Sequence, residues 1–405
     1  MEPAFPRTRT DQLPSSDDSD ALDFRENELG QVWILSLVLS VAIVAGLFWY
    51  ANYTHGHDWI PLGYDSYYYV GFIKQVVSSG PLQFAASQHY VEFLYPIVVS
   101  VPVFLGASPD LVEIVLPVIL ACATVVATGI LALESRDWRI ATLTVAFTSG
   151  WFTLYRMGAD FHANLFAFPL LILATVLLLR AARKERTSGS VLGVFLLLVI
   201  VAAATHVETT DFFIASWFVA FTLLGRPFAS WKRTSLMVIT AGMAAAPFTV
   251  AYFQNATGGP GGQYCVFPPY WLEVFGPAAG LAVLGIGVAA WHWKAPASVG
   301  YFARLLLSWS VLAVAIGVLG YVAQFPITIS DRSLLLLPLP LVSSLGTLWL
   351  AERAPRPQRF SQATLLTIAA IAIPLVLAPL VFVYAAPHFA YFAEHGPTFV
   401  TCAKG

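Results

Sequence analysis

Residues 109–139 read PDLVEIVLPVILACATVVATGILALESRDWR, and this stretch decides the class of the protein. From Leu111 to Leu133 it is apolar or small apart from one acid, which is long enough for a helix to cross a hydrocarbon core of about 30 Å. Arg136 and Arg139 follow at once, as is typical of the cytoplasmic side of a membrane span. The stretch therefore predicts a transmembrane helix that leaves the bilayer on the cytoplasmic side.

The whole chain has the composition of a membrane protein. Of its 405 residues, 58% are hydrophobic and 11% are charged, and the mean hydropathy is +0.72. A soluble domain of this size carries about a quarter charged residues, so this chain has too little charge to cover a water-facing surface. We predict a lipid bilayer as its solvent and no nucleic acid among its partners.

Ten further apolar runs predict an all-α integral membrane fold with about 11 transmembrane helices. These runs are 31–51, 139–156, 163–181, 190–206, 212–226, 235–253, 270–291, 304–323, 333–351 and 363–386. The run 91–107 is also apolar, but it is short and contains two prolines. We interpret it as a re-entrant or interfacial helix, because an apolar run of that length is too short to span.

The distribution of Lys and Arg tests that interpretation. With the N-terminus in the cytoplasm, four of the 21 basic residues lie outside, which leaves 17 inside. The four are Lys74, Arg156, Arg332 and Lys404. Counting 91–107 as a span would invert every later loop and place the basic segment 180–186 outside. We therefore predict a multi-pass protein of the cell membrane with a cytoplasmic N-terminus and an external C-terminus.

Three segments follow from this topology. They are a disordered cytoplasmic tail, the transmembrane domain and a short outer tail, over residues 1–30, 31–386 and 387–405. The three cysteines are too few for a disulfide framework. Cys122 lies in an apolar run, whereas Cys265 and Cys402 fall on the outer side, where a disulfide between them and two free thiols are both open alternatives.

The longest outer loop, residues 52–108, contains the sequence GYDSYYYV around Asp65. The aromatic residues after Asp65, including Tyr67 and Tyr68, predict a helix that lies along the membrane interface, because Tyr rings favour the level of the headgroups. Asp65 would then sit at the helix N-terminus, where the dipole favours a carboxylate. It is either an N-cap or a functional carboxylate.

A second polar group is the sequence RMGADFHAN between the third and fourth predicted spans. It places Asp160, His162 and Asn164 at an outer helix entrance, with Arg156 one turn earlier. Such groups either are solvated at the interface or contribute to a site.

A third polar group, the sequence THVETTD, crowds His206, Glu208 and Asp211 into one short turn. Neighbouring acids and a histidine suit proton handling or a divalent metal. Their spacing matches no recognised metal motif, so the sequence does not decide between these roles.

A fourth polar group precedes the tenth predicted span, in the sequence ISDRSLLLLPLP. Arg332 lies there on the outer side, at the mouth of a very apolar helix. Its planar guanidinium suits the oxygens of a phosphate. The alternative is a helix-end arginine paired with Asp331.

The first, second and fourth groups together resemble the polytopic GT-C glycosyltransferases, which include oligosaccharyltransferase catalytic subunits and protein mannosyltransferases. Members carry an acidic catalytic residue and two juxtamembrane helices in the first outer loop, and the corresponding helices here are 66–79 and 91–107. Arg156 to Asn164 is similar to an R-x-x-x-D-x-x-x-N pattern in bacterial and archaeal members. The chain departs from the family in having a single Asp160 in place of a D-x-D motif, and no large soluble domain after the last span.

The resemblance implies transfer of a sugar from a polyprenyl-phosphate carrier to a glycan, lipid or protein acceptor on the outer face. Asp65 would be the general base, and Asp160 a second catalytic acid that positions the acceptor or, with Asp65, a divalent Mg or Mn ion. Arg332 would bind the donor phosphate. The remaining candidates for substrate binding are Arg156, His162, Asn164, His206, Glu208, Tyr67 and Tyr68.

Two other functions remain open for this sequence. One is a transporter or flippase of a lipid-linked or anionic solute, which would place acids or broken helices near the middle of the membrane, often in two matching halves. Here the acids gather at outer helix ends, and no internal repeat is visible. The other is a non-catalytic scaffold of the same fold, which would retain the helices and lose the acids.

Overall fold

The computed structural model describes residues 16–55, 64–89, 92–183, 188–226, 229–256, 276–295, 297–323, 334–354 and 361–395. Within these ranges the secondary structure is helical and contains no strand. The predicted all-α class is therefore confirmed for the described part of the chain.

The first half of the chain contains ten helices among the described residues. They are α1 (Ser16–His55), α2 (Tyr64–Ser79), α3 (Pro81–Ser87), α4 (Leu94–Val99), α5 (Val101–Phe104), α6 (Pro109–Leu133), α7 (Trp138–Ser149), α8 (Phe152–Asp160), α9 (His162–Arg183) and α10 (Gly189–Thr205). The second half continues with α11 (Val207–Trp217), a π-helical turn (Phe218–Leu223), α12 (Trp231–Ala256), a 3-10 turn (Gly276–Ala278), α13 (Ala279–Trp291), α14 (Ala297–Ala323), α15 (Leu339–Arg353) and α16 (Gln362–His395).

Six of the described helices contain segments that are long and apolar enough to cross a membrane. These segments are Gly30–Tyr53, Pro109–Leu133, His162–Arg183, Trp231–Asn255, Val299–Leu319 and Gln362–Val383. Three shorter apolar helices are Leu94–Phe104, Gly189–Thr205 and Ala279–Trp291. An α-helical membrane protein is thus confirmed in outline, whereas the count of 11 spans and their orientation stay predictions.

The bounds of α6 follow from local chemistry at each end. Ser108 caps its first turn, since the hydroxyl accepts a hydrogen bond from the Leu111 amide at 3.1 Å. Pro109 follows at the first helical position, where the missing amide hydrogen costs nothing. After the helix, Arg136 adopts a left-handed conformation with φ of 62°, which turns the chain towards α7.

The predicted span 139–156 differs from the structure. The helix is interrupted after Ser149, and its second half, α8, continues to Asp160. A Cβ atom on Gly150 would lie 2.5 Å from the Leu377 side chain of α16, so the glycine lets α16 approach the interruption. Arg156, the last residue of the predicted span, consequently lies in the middle of α8.

Two other boundaries also differ from the sequence analysis. Helix α11 begins at Val207, so Glu208 and Asp211 lie inside it and not in a short turn. The cause is the side chain of His206, which accepts a hydrogen bond from the Thr209 amide at 3.2 Å and caps the helix. At the N-terminus, α1 begins at Ser16, within the segment 1–30 that was predicted as a tail.

Helices α13 and α15 pack at backbone distance through two glycines. A Cβ atom on Gly285 would lie 1.7 Å from the Val342 carbonyl oxygen, and one on Gly346 would lie 2.1 Å from the Leu281 carbonyl oxygen. Small residues at such positions are characteristic of helix contacts inside membranes, where close van der Waals packing replaces the hydrophobic effect. This contact fixes the start of α15 within the bundle.

Polar side chains gather at two opposite ends of the bundle. We call one the basic end; it contains Glu134, Asp137, Arg139, Arg180, Arg183, Arg233, Arg304 and Glu352. We call the other the acidic end; it contains Glu92, Asp110, Glu113, His162, His206, Glu208 and Asp211. Helices α6 and α9 both start at the acidic end and finish at the basic end.

Candidate functional site

Helix α2 carries the aspartate and tyrosines that the sequence singled out in the first outer loop. Asp65 is its second residue and Tyr67 its fourth, and the side chains of both lie outside the described residues. Tyr68 is described and is 53% exposed. Ile73 and Val76 of the same helix are instead fully buried. Helix α2 is therefore amphipathic and packs its apolar face against the bundle.

Tyr69 attaches α2 to the start of α9. Its ring stacks on the imidazole of His162, with ring centroids 5.4 Å apart and an interplanar angle of 17°. Its hydroxyl oxygen accepts a hydrogen bond from the Ala163 amide at 3.3 Å. The sequence analysis did not single out Tyr69, although it lies four residues after Asp65, which is one helical turn on the same face.

The junction of α8 and α9 carries the second polar group. Asp160 is the last residue of α8, and its side chain lies outside the described residues, whereas His162 is the first residue of α9. The Arg156 guanidinium lies over the ring of Phe161, 4.6 Å from its centroid. Because Tyr69 contacts His162, the helix that bears Asp65 and the junction that bears Asp160 are in direct contact.

His162 is buried and bonded through both ring nitrogens. Its Nδ1 atom lies 2.7 Å from Oε2 of Glu113, and its Nε2 atom lies 2.9 Å from the carbonyl oxygen of Gly158. The Tyr95 hydroxyl donates to Oε1 of Glu113 at 3.1 Å. Glu113 and His162 are each only 1% exposed. Glu113 is the one acid of the apolar run 111–133, to which no role was assigned from the sequence; the available signal was an acid one turn inside an apolar span.

The third polar group is joined to the second through Asn164. Its amide nitrogen donates to the Thr209 hydroxyl at 3.3 Å, and that hydroxyl lies 3.0 Å from Nδ1 of His206. Since Nδ1 also accepts from the Thr209 amide, the imidazole hydrogen is on Nε2. This atom faces Oε1 of Glu92 at 3.4 Å. The second and third polar groups are therefore in contact through Asn164 of α9 and Thr209 of α11.

The acids of α11 contact hydroxyl groups of α12. Glu208 accepts a short hydrogen bond from the Tyr252 hydroxyl, and Asp211 accepts one from Thr249 at 2.9 Å. Asp211 lies between the predicted spans 190–206 and 212–226. Burial, reinforced by the neighbouring Glu208 charge and opposed by the Thr249 bond, raises the pKa of Asp211 to about 6.

Arg332 and Asp331 lie outside the described residues, as do Cys265 and Cys402. The chain that follows Arg332 is anchored to neighbouring helices. The Leu335 carbonyl accepts a hydrogen bond from the Thr153 hydroxyl of α8 at 2.6 Å, and the Leu336 carbonyl accepts one from the Trp309 indole of α14 at 2.5 Å. The fourth polar group thus leads directly into a segment that packs on α8.

Among the side chains that the structure describes, no group of three His, Cys, Asp or Glu residues has the arrangement of a metal site. The two aspartates suggested as ligands of Mg or Mn, Asp65 and Asp160, have side chains outside that description. Carboxylate oxygens are the ligands that these hard cations prefer, so the donor chemistry of the two residues fits such an ion.

No protein-family model matches this chain, and no curated protein matches it.

Proposed function

We propose that this chain is a membrane glycosyltransferase that moves a sugar from a polyprenyl-phosphate carrier to a hydroxyl of an acceptor at the acidic end. The observation that carries the proposal is the stacking of Tyr69 on His162. It joins α2, which carries Asp65 in its first turn, to the α8–α9 junction, which contains Asp160. A single-displacement transfer needs one general base for the acceptor hydroxyl, and this contact brings the helix of the proposed base next to a second acidic residue.

In the proposed reaction, Asp65 takes the proton of the acceptor hydroxyl while the acceptor oxygen attacks the anomeric carbon. The bond between that carbon and the phosphate oxygen breaks, and polyprenyl phosphate leaves with the electron pair. A single displacement of this kind inverts the anomeric configuration. Asp160 would position the acceptor, and Arg332 would bind the leaving phosphate through its guanidinium. His162, predicted as a substrate-binding residue, is buried with both ring nitrogens bonded and is not available to the acceptor.

The position of ionisable residues supports a one-sided site over alternating access. In the six candidate spans, every Asp, Glu, Lys, Arg and His lies within about two turns of a helix end. A transport path places such groups near the middle of the membrane. Three of the four polar groups that the sequence singled out are instead adjacent at the acidic end.

The deciding experiment reconstitutes the full chain in nanodiscs and supplies a panel of polyprenyl-phosphate hexoses. We expect the wild type to bind and transfer one of them, Asp65→Asn to bind without transfer, and Arg332→Ala to lose binding. The matched control is Asp110→Asn, which removes an acid at the same end, in the first turn of α6, and should leave transfer unchanged. Full transfer by Asp65→Asn, or no binding of any lipid-linked sugar by the wild type, would reject the proposal.

A further inference from the structure

We infer that Glu113 is a positioning residue that acts through His162 to hold α2, and with it the turn that contains Asp65, on the α8–α9 junction. The part that concerns Asp65 rests on the proposed function, whereas the attachment of α2 does not.

The bonding partners of His162 determine where its hydrogens lie. The Gly158 carbonyl oxygen can only accept, so Nε2 carries a hydrogen. Nδ1 faces Oε2 of Glu113 at 2.7 Å, and that contact must contain one further hydrogen. The pair is therefore either imidazolium with carboxylate or imidazole with carboxylic acid. In both forms its net charge is zero, which is compatible with almost complete burial.

Glu113 orients the imidazole, and the imidazole is what α2 packs against. Two hydrogen bonds, to Glu113 and Gly158, fix the plane of the ring. Tyr69 stacks on that plane at 17° and packs edge-on against Tyr95, with centroids 4.8 Å apart. Tyr95 in turn donates to Glu113 at 3.1 Å. One carboxylate thus holds both aromatic partners of Tyr69.

The same geometry connects Glu113 to the proposed base. Tyr69 is four residues after Asp65 in one helix, which corresponds to about 6 Å along the axis. A rotation of the His162 ring would remove the flat surface under Tyr69 and shift the first turn of α2. Since catalysis depends on placement to within about 1 Å, such a shift would lower the rate of transfer without changing the binding of the donor lipid.

Two conservative substitutions separate positioning from charge. In Glu113→Gln the reach of the side chain is kept, because the amide hydrogen can donate to Nδ1 of a neutral His162 while the amide oxygen accepts from Tyr95. In Glu113→Asp the charge is kept, but the carboxylate is withdrawn by one methylene and no longer reaches both partners. A positioning role therefore predicts that Gln substitutes well and Asp poorly, and a role in charge or proton transfer predicts the reverse.

The first measurement is amide hydrogen exchange of peptides from α2, Tyr64–Ser79, in the full-length protein in nanodiscs. We expect Glu113→Gln to exchange like the wild type and Glu113→Asp to exchange at least about tenfold faster in α2, with α12 as an unaffected internal reference. Equal exchange in all three proteins, or faster exchange in the Gln variant than in the Asp variant, overturns the inference.

The second measurement is transfer kinetics, which applies once the wild type is active. We expect Glu113→Asp to lower kcat by about tenfold or more with KM for the lipid donor unchanged, and Glu113→Gln to keep both. A changed donor KM with unchanged kcat contradicts positioning of Asp65. If no lipid-linked sugar is transferred by the wild type but the exchange results hold, the proposed function fails and the attachment of α2 through Glu113 stands.

Discussion

Helices α6 and α9 are tied together at both ends, each time by an acid of α6 and a base of α9, yet the two ties are built differently. At the basic end, Glu134 contacts Arg180 at 2.7 Å and Arg183 at 2.5 Å, and the Arg180 side chain is 54% exposed. At the acidic end, Glu113 contacts His162 at 2.7 Å with both side chains buried. The contact at the basic end uses arginine side chains, which stay charged and lie close to solvent. The contact at the acidic end uses a carboxyl group and an imidazole, which can be neutral together.

The difference reflects what each environment tolerates. Water and headgroups screen the charges at the basic end, so an arginine pair is stable there but contributes modestly. Inside the bundle, removing two full charges from water costs several kcal/mol per ion. An imidazole and a carboxyl group can share one hydrogen and remain neutral, which guanidinium cannot do, because arginine is not deprotonated in proteins. The chain therefore uses histidine where the tie is buried.

The largest expected effect comes from breaking the buried tie. In His162→Ala, Glu113 keeps only its Tyr95 contact inside the bundle, and we expect a loss of about 3–5 kcal/mol in the free energy of unfolding. Unfolding in mixed micelles, followed by tryptophan fluorescence, measures it. The double variant with Glu113→Gln should recover part of the loss, since no buried charge then remains. A loss below about 1 kcal/mol in His162→Ala alone would contradict a stabilising role of the buried pair.

A smaller effect is expected at the basic end for Glu134→Gln. The substitution leaves two arginines without their carboxylate, but the Arg180 side chain is exposed and Arg183 keeps its bond to the Glu134 carbonyl, so we expect a loss of about 1–3 kcal/mol in the same unfolding assay. The control is Glu352→Gln. The Glu352 carboxylate contacts Arg139 at 3.3 Å, and its removal should lower the free energy of unfolding by less. A loss larger than that of His162→Ala would reverse the ranking of the two ties.

At the acidic end, Asp211 should make the free energy of unfolding depend on pH. Its pKa of about 6 lies above the 3.8 of a free aspartate side chain, so the folded protein binds more protons than the unfolded chain between those values. Its contribution to stability is therefore greatest at low pH and is lost as the pH rises through about 6. The difference in unfolding free energy between wild type and Asp211→Asn should follow this curve, and Thr249→Val should move its midpoint to higher pH. A pH-independent difference would refute the assignment.

The smallest effect is expected for Arg180→Ala. More than half of the Arg180 side chain is exposed and Arg183 still contacts Glu134, so we expect a change within about 1 kcal/mol that shrinks further in high salt. Arg183→Ala is the matched comparison, since that side chain is 12% exposed and also donates to the Glu134 carbonyl. Equal losses for the two arginines would show that exposure does not govern this tie.

The sequence predicts the helices better than their interruptions. The apolar run 111–133 with its flanking arginines is enough to identify α6, because length and charge bias act locally. The interruption at Gly150 is packed against Leu377, from a helix more than two hundred residues away. No local pattern contains that contact, so 139–156 was predicted as one uninterrupted span.

The sequence predicts individual residues of the candidate site but not which of them are in contact. The sequence marked Asp65 and His162 from local composition, and spacing could have marked Tyr69, which shares a helix face with Asp65. Glu113 could not be paired with His162, because 49 residues separate them and several histidines were available. Long-range pairing is decided by packing, which a single sequence does not specify.

The buried pair has a consequence for the order in which the chain enters the membrane. Glu113 precedes His162 by 49 residues, so α6 would reach the bilayer before the segment that carries its partner. A lone carboxylate is expensive there, and the first turn of α6 would remain at the headgroup level until α9 arrives. Completion of α9 would then draw α6 to its final depth, which makes the arrival of His162 a checkpoint in biogenesis as well as a contact in the finished protein.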